Sequence, residues 1–189
     1  GGKDTTANCA QTTFITKWKT DTPNEFITIP TASGETYNYT VDWGDGSATT
    51  THTANATHSY AAADTYTVRI TGNFPRIFFN DGGDRDKIID IRQWGTQAWS
   101  SMEAAFAGCS KLNMTATDAP NLSQVRNMYA MFADATAFNG DLSNWDVSSV
   151  TNMNTMFANT IAFNEDLSNW NVSSVTNMES MFQDATAFN

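Results

Sequence analysis

The sequence predicts a mixed fold: an N-terminal antiparallel β-sandwich followed by an α/β solenoid of short stacked repeats. Three observations predict it. Met128–Asn152 recurs as Met153–Asn177 with 18 of 25 positions identical, and a third copy opens at Met178. A fixed period of this size marks units that bury their apolar faces only by stacking. Before residue 80, Thr, Val, Ile and Tyr alternate with polar residues between Gly, Pro, Asn and Asp, as in half-buried strands joined by turns. Within each copy, Met128, Met131 and Phe132 (then Met153, Met156 and Phe157) fall at i, i+3 and i+4, the spacing of an apolar stripe on a short helix.

Taken in order, residues 1–13 are polar and read as a flexible leader. Residues 14–73 form the β unit, with strands at FITKW, EFITIP, TYNYTVDW and DTYTVRITG around a Thr-rich interval. Residues 74–101 read as linker and N-terminal cap of the solenoid, with IFF and KIIDI as short buried strands joined by an acidic loop; terminal units of an array must hide an apolar face. Residues 102–189 are the repeats, each expected to run helix, turn, strand, turn, and truncated at the C-terminus. The looser first copy, Met102–Asn127, keeps Phe106, Leu112, Asn113, Val125 and Asn127 and carries one extra residue near Thr115–Pro120. Phe138 and Phe163, Leu142 and Leu167, and Trp145 and Trp170 should stack vertically. Asn127, Asn152 and Asn177, like Asn139, Asn164 and Asn189, should form hydrogen-bonded ladders, because buried polar groups need partners.

Ten basic residues against 20 acidic ones give a net charge of −10, which repels a phosphate backbone and argues against nucleic acid as a partner. Only 16% of residues are charged, so Thr, Ser and Asn carry the surface, a composition common in secreted proteins. No run of 18 apolar residues occurs, so no helical membrane span is expected in this segment. Cys9 and Cys109 allow one bridge in an oxidising compartment, or a free thiol in the leader and a small buried residue in the first repeat.

Val41–Ser47 (VDWGDGS) and His58–Val68 (HSYAAADTYTV) resemble the PKD family of small extracellular Ig-like β-sandwiches, with Asp64 standing where that family has Gly. The repeats, Met-x-x-Met-Phe and then Ala-Phe-Asn-x-Asp-Leu-Ser-Asn-Trp-(Asp/Asn)-Val-Ser-Ser-Val-Thr-Asn-Met, resemble those of bacterial surface proteins known from mycoplasma lipoproteins. MEAAFAGCSKL at Met102–Leu112 is similar to the leucine-rich-repeat unit of BspA-like surface proteins. These resemblances imply a leucine-rich-repeat-like solenoid and a secreted or cell-surface role in adhesion.

The function expected is therefore a non-catalytic module that meets a protein or glycan through the repeat face. A structural stalk of a longer surface protein is the alternative. The terminal copy, open at Asn189, suits continuation of the chain or self-association. Positions that vary between copies, Tyr129, Asn154 and Glu179, together with Asp146 and Asn171, are the candidate binding residues. Asp141 and Asp166 join them, and as a repeat-related pair roughly 5 Å apart they also match the carboxylate spacing of a retaining glycosidase. A ladder generated by the repeat accounts for them without catalysis, and neither histidine sits beside a nucleophile motif. Asp42 and Asp45 read as turn caps and His58 as a packing residue. Asp81, Asp84 and Asp86, in DGGDRD, resemble a loose calcium loop that lacks the later Glu. No other cofactor is expected.

Overall fold

The computed structural model describes residues 12–189. Among the described residues it is all-β, with eight strands and no helix. They are β1 Phe14–Lys19, β2 Glu25–Ile29, β3 Asn38–Asp42, β4 Thr50–His52, β5 Ala56–Tyr60, β6 Thr65–Asn73, β7 Ile88–Gln93 and β8 Asn113–Met114. Six of them make one sheet in the order β4-β3-β6-β1-β7-β8, and β2 and β5 form a second, two-stranded sheet. All pairings are antiparallel except that of β7 with β8.

Alternation sets the faces. Phe14, Thr16 and Trp18 of β1, Tyr39 and Val41 of β3, and Tyr66, Val68 and Ile70 of β6 are buried, while the residues between them look outward or are half-buried. The Thr-rich interval supplies β4, where Thr on both faces hides the alternation, and β5, which buries Ala56 and Tyr60 on either side of a half-buried His58. IFF is not a strand. Ile77 and Phe79 are buried, and the amides of Phe79, Asn80 and Asp81 bond to the carbonyls of Ala105, Ala104 and Ala107. The segment thereby covers the outer side of the first repeat.

The α/β solenoid expected from the repeats is overturned. Where a helix was expected, the backbone makes overlapping β-turns: Met131 N–H bonds to Met128 O, Ala133 to Ala130 O and Ala135 to Phe132 O. The amides between them point out of the coil to the next copy, Met128 to Asn152 O, Ala130 to Asn154 O, Phe132 to Met156 O and Asp134 to Ala158 O. An α-helix would spend all of these amides internally. Left-handed residues enforce the pattern: Ala130 and Asp134, then Thr155 and Asn159, then Ser180 and Asp184 have φ between 51 and 60°. Each occupies the third position of its turn, where a type II turn needs positive φ, and one such residue ends a right-handed helix. The expected strand is likewise absent from the later repeats: the first keeps the two-residue β8, and among the described residues the parallel bridges outside named strands are Asn127↔Asn152↔Asn177 and Ala98↔Asn121.

The copies nevertheless lie in register. Phe106, Phe132, Phe157 and Phe182 form one column, with ring centroids 5.8, 5.8 and 5.5 Å apart and nearly parallel planes. Phe138, Phe163 and Phe188 form a second column beside it. The core is continuous from Phe14 to Met181.

Candidate functional site

The exposed side of the repeats is built on an asparagine ladder. Asn127 Oδ1 accepts the Tyr129 amide at 2.9 Å, Asn152 Oδ1 that of Asn154 at 3.0 Å and Asn177 Oδ1 that of Glu179 at 3.0 Å. Asn152 Nδ2 also donates to Asn127 Oδ1 at 3.1 Å. The same short polar residue thus fixes the backbone beneath each variable position. Tyr129 is 42% exposed, and Asn154 Nδ2 reaches Glu179 Oε2 at 3.4 Å. Tyr129, Asn154 and Glu179 therefore occupy successive rungs of one column, and the structure brings these candidates together.

The candidate acids are turn caps. Asp141 Oδ1 accepts the Ser143 amide at 2.9 Å, Asp146 that of Ser148 at 3.1 Å and Asp166 that of Ser168 at 2.8 Å, while Asn171 does the same for Ser173. Hydrogen bonds from Ser143 and Ser168 hold Asp141 and Asp166 below the usual carboxylate range. Neither is pushed upward, as the proton donor of a glycosidase must be.

Asp81, Asp84 and Asp86 diverge. Asp84 accepts the Thr28 amide at 2.8 Å and pairs with Lys87 at 2.8 Å, Asp81 pairs with Arg85 at 3.4 Å, and Asp86 accepts the Ser110 hydroxyl at 3.0 Å. No group of three potential metal ligands converges among the described residues. Asp42 and Asp45 cap the turn at Gly44 and Ser47. His58 stacks on Trp43 at 4.9 Å and bonds Asp45 at 2.7 Å. Cys109 is buried, and burial pushes its thiol well up; Cys9, its candidate partner, lies outside the described residues.

Sheet pairing also creates a groove absent from the sequence reading. On the outer face, Arg69 of β6, Ile15 of β1 and Gln93 of β7 share one row, and Thr67, Lys17 and Asp90 share the next. The register shift between Ile15 and Thr16 leaves Arg92 as the extra residue opposite them, and such bulges re-aim a side chain. A depression of 470 Å³ lined by Ile15, Lys17, Thr67, Arg69, Arg92 and Gln93 adjoins one of 410 Å³ that shares Arg92 and Gln93 and is also lined by Asp118. Outward-facing cations on strands far apart in sequence were the only available signal; their adjacency depends on long-range register. At the last repeat, Val172 and Met178 are about 40% exposed over a shallow apolar depression.

A continuous aromatic core, an asparagine ladder and stacked turn-built copies define a repeat protein. The chain belongs to the family described as "Mycoplasma protein of unknown function, DUF285", whose model matches residues 76–189. No curated protein and no solved structure matches the chain.

Proposed function

We propose that the chain is a non-catalytic binding module of a secreted or cell-surface bacterial protein, meeting a protein or glycan through the column of Tyr129, Asn154 and Glu179. The observation that carries this reading is the contrast within that column. The asparagines under it are invariant and hydrogen-bonded, whereas the side chains they present differ in every copy, so chemistry can vary without disturbing the scaffold. Broad repetitive faces suit extended ligands. Likeness of the first copy to BspA-type surface proteins supports the adhesive role. Residues 14–73 fit a PKD-type module on the strength of the Trp43–Ser47 turn and the His58 strand.

The stalk reading draws support from the phenylalanine columns, which run through every copy. A glycan and cell-surface binding screen separates the two. A ligand whose binding falls about tenfold in Tyr129→Ala/Glu179→Ala, with the thermal melt unchanged, is the expected result. Silence across the screen favours the stalk, and a ligand indifferent to the whole column overturns the proposed face. Turnover of a model glycoside that is lost in Asp141→Asn or Asp166→Asn would overturn the non-catalytic reading.

A further inference from the structure

We infer that the outer face of the six-stranded sheet, where β6, β1 and β7 lie side by side, binds a short carboxylate-bearing saccharide with one or two uronic-acid-type groups. The inference concerns a different face from the repeat column and does not rest on it. Lys17, Arg69 and Arg92 are three of only ten cations in a chain of net charge −10, and strand pairing gathers them across three neighbouring strands.

Their charges are loosely held. Arg69 lies 3.5 Å from Asp42 and Arg92 lies 3.6 Å from Asp90, both beyond ordinary charge-assisted distances. The nearby carboxylates are engaged elsewhere: Asp42 with the Gly44 amide, Asp90 with the Thr115 amide and hydroxyl, and Asp118 with the amides of Trp94 and Gly95. Among the described residues, Lys17 pairs with no carboxylate. Two guanidinium forks beside an ammonium are suited to a planar carboxylate, which an arginine grips through two parallel hydrogen bonds.

The rest of the groove selects the carrier of that carboxylate. β1 is paired on both sides, by β6 and β7, so an acidic peptide finds no free strand edge there to extend. Thr67, with Thr96 and Thr117 in the adjoining depression, offers hydroxyls to match those of a sugar. Size follows from screening. The Debye length is about 8 Å in physiological salt, so the cations act only within the groove, and a long polyanion would run out over the acidic repeats. Depressions of 470 and 410 Å³ accommodate a few sugar rings.

The test is a titration with trigalacturonic acid, followed by amide chemical shifts, with maltotriose as neutral control and triglutamate as peptide control. Expected are shifts confined to residues 15–17, 67–69 and 92–93, weakened by salt, and an affinity lowered about tenfold or more in Lys17→Gln/Arg92→Gln. Arg69→Gln, at an exposed position, should weaken binding without affecting the fold. Lys111→Gln/Arg126→Gln removes equal charge elsewhere and should bind as the parent does. Absence of shifts at the groove, equal losses in the two double variants, or maltotriose or triglutamate binding as well as trigalacturonate would each overturn the proposal.

Discussion

At the scale of single residues, the turn after β3 shows how local geometry becomes stability. Gly44 and Gly46 both have positive φ, at 77 and 83°. A Cβ on Gly46 would meet nothing within 4 Å, whereas one on Gly44 would collide with the carbonyl of Thr67 in β6. Gly46→Ala should therefore cost about 1 kcal/mol, the left-handed penalty alone, and Gly44→Ala about 3 kcal/mol or more, because backbone must move; urea melts of the two variants measure the difference. The carboxyl between them is tuned as well. Partial burial acts to raise Asp45, but hydrogen bonds from Ser47 and His58 outweigh it and bring it down to about 2. A folded value below the unfolded one, near 4, means that the contribution of Asp45 is complete above about pH 4 and is lost as pH falls toward 2. Thermal melts over that window should fall more steeply for the parent chain than for Asp45→Asn, and parallel slopes would remove Asp45 from the account.

At the scale of the element, the repeat is a coil of turns, and one substitution separates it from a helix. Ala130 sits at φ 51°, where a side chain is strained and glycine is not. Ala130→Gly should raise stability by about 0.5–1 kcal/mol, whereas the same change inside a helix would cost about 1 kcal/mol; chemical denaturation gives the sign. The sequence held this distinction in one column. Gly108, Asp134, Asn159 and Asp184 occupy equivalent places, all have positive φ, and all are of the types that best tolerate it. The i, i+3, i+4 spacing of Met128, Met131 and Phe132 masked that column, since overlapping turns and a helix both gather those residues inward. Copy register was legible because identical residues stack only at the period that generated them. β4 and the Lys17–Arg69–Arg92 groove were not: Thr reads alike on both faces, and no local pattern encodes which distant strands become neighbours. Trp145 marks a subtler limit. Trp170 Nε1 donates to Leu142 O at 2.9 Å, whereas Trp145 Nε1 has no partner. Its ring meets Trp94 edge-on at 5.3 Å instead, over the first copy with its extra residue.

At the scale of the whole molecule, the β unit and the repeats share one interior, and Trp94 stands where they meet. It is fully buried, with Phe14 of β1 at 5.6 Å, Trp99 at 5.7 Å, Phe106 of the first repeat at 6.1 Å and Trp145 of the second at 5.3 Å. Its amide is held by Asp118 and its indole nitrogen lies 3.3 Å from Met114 Sδ. β1 reinforces the junction by pairing with β6 on one side and β7 on the other. Removing the indole should cost about 3–5 kcal/mol, and because both halves lean on it, the loss should spread to both. Trp94→Ala should melt in a single transition at lower temperature, with amide protection falling together at Val68 in β6 and at Phe132 in the second repeat. Phe182→Ala, at a half-buried ring in the terminal copy, should lower protection near Phe157 and leave Val68 unchanged. Loss of protection at Phe132 alone in Trp94→Ala would mean that the two halves fold independently and that the shared aromatic cluster is contact without coupling.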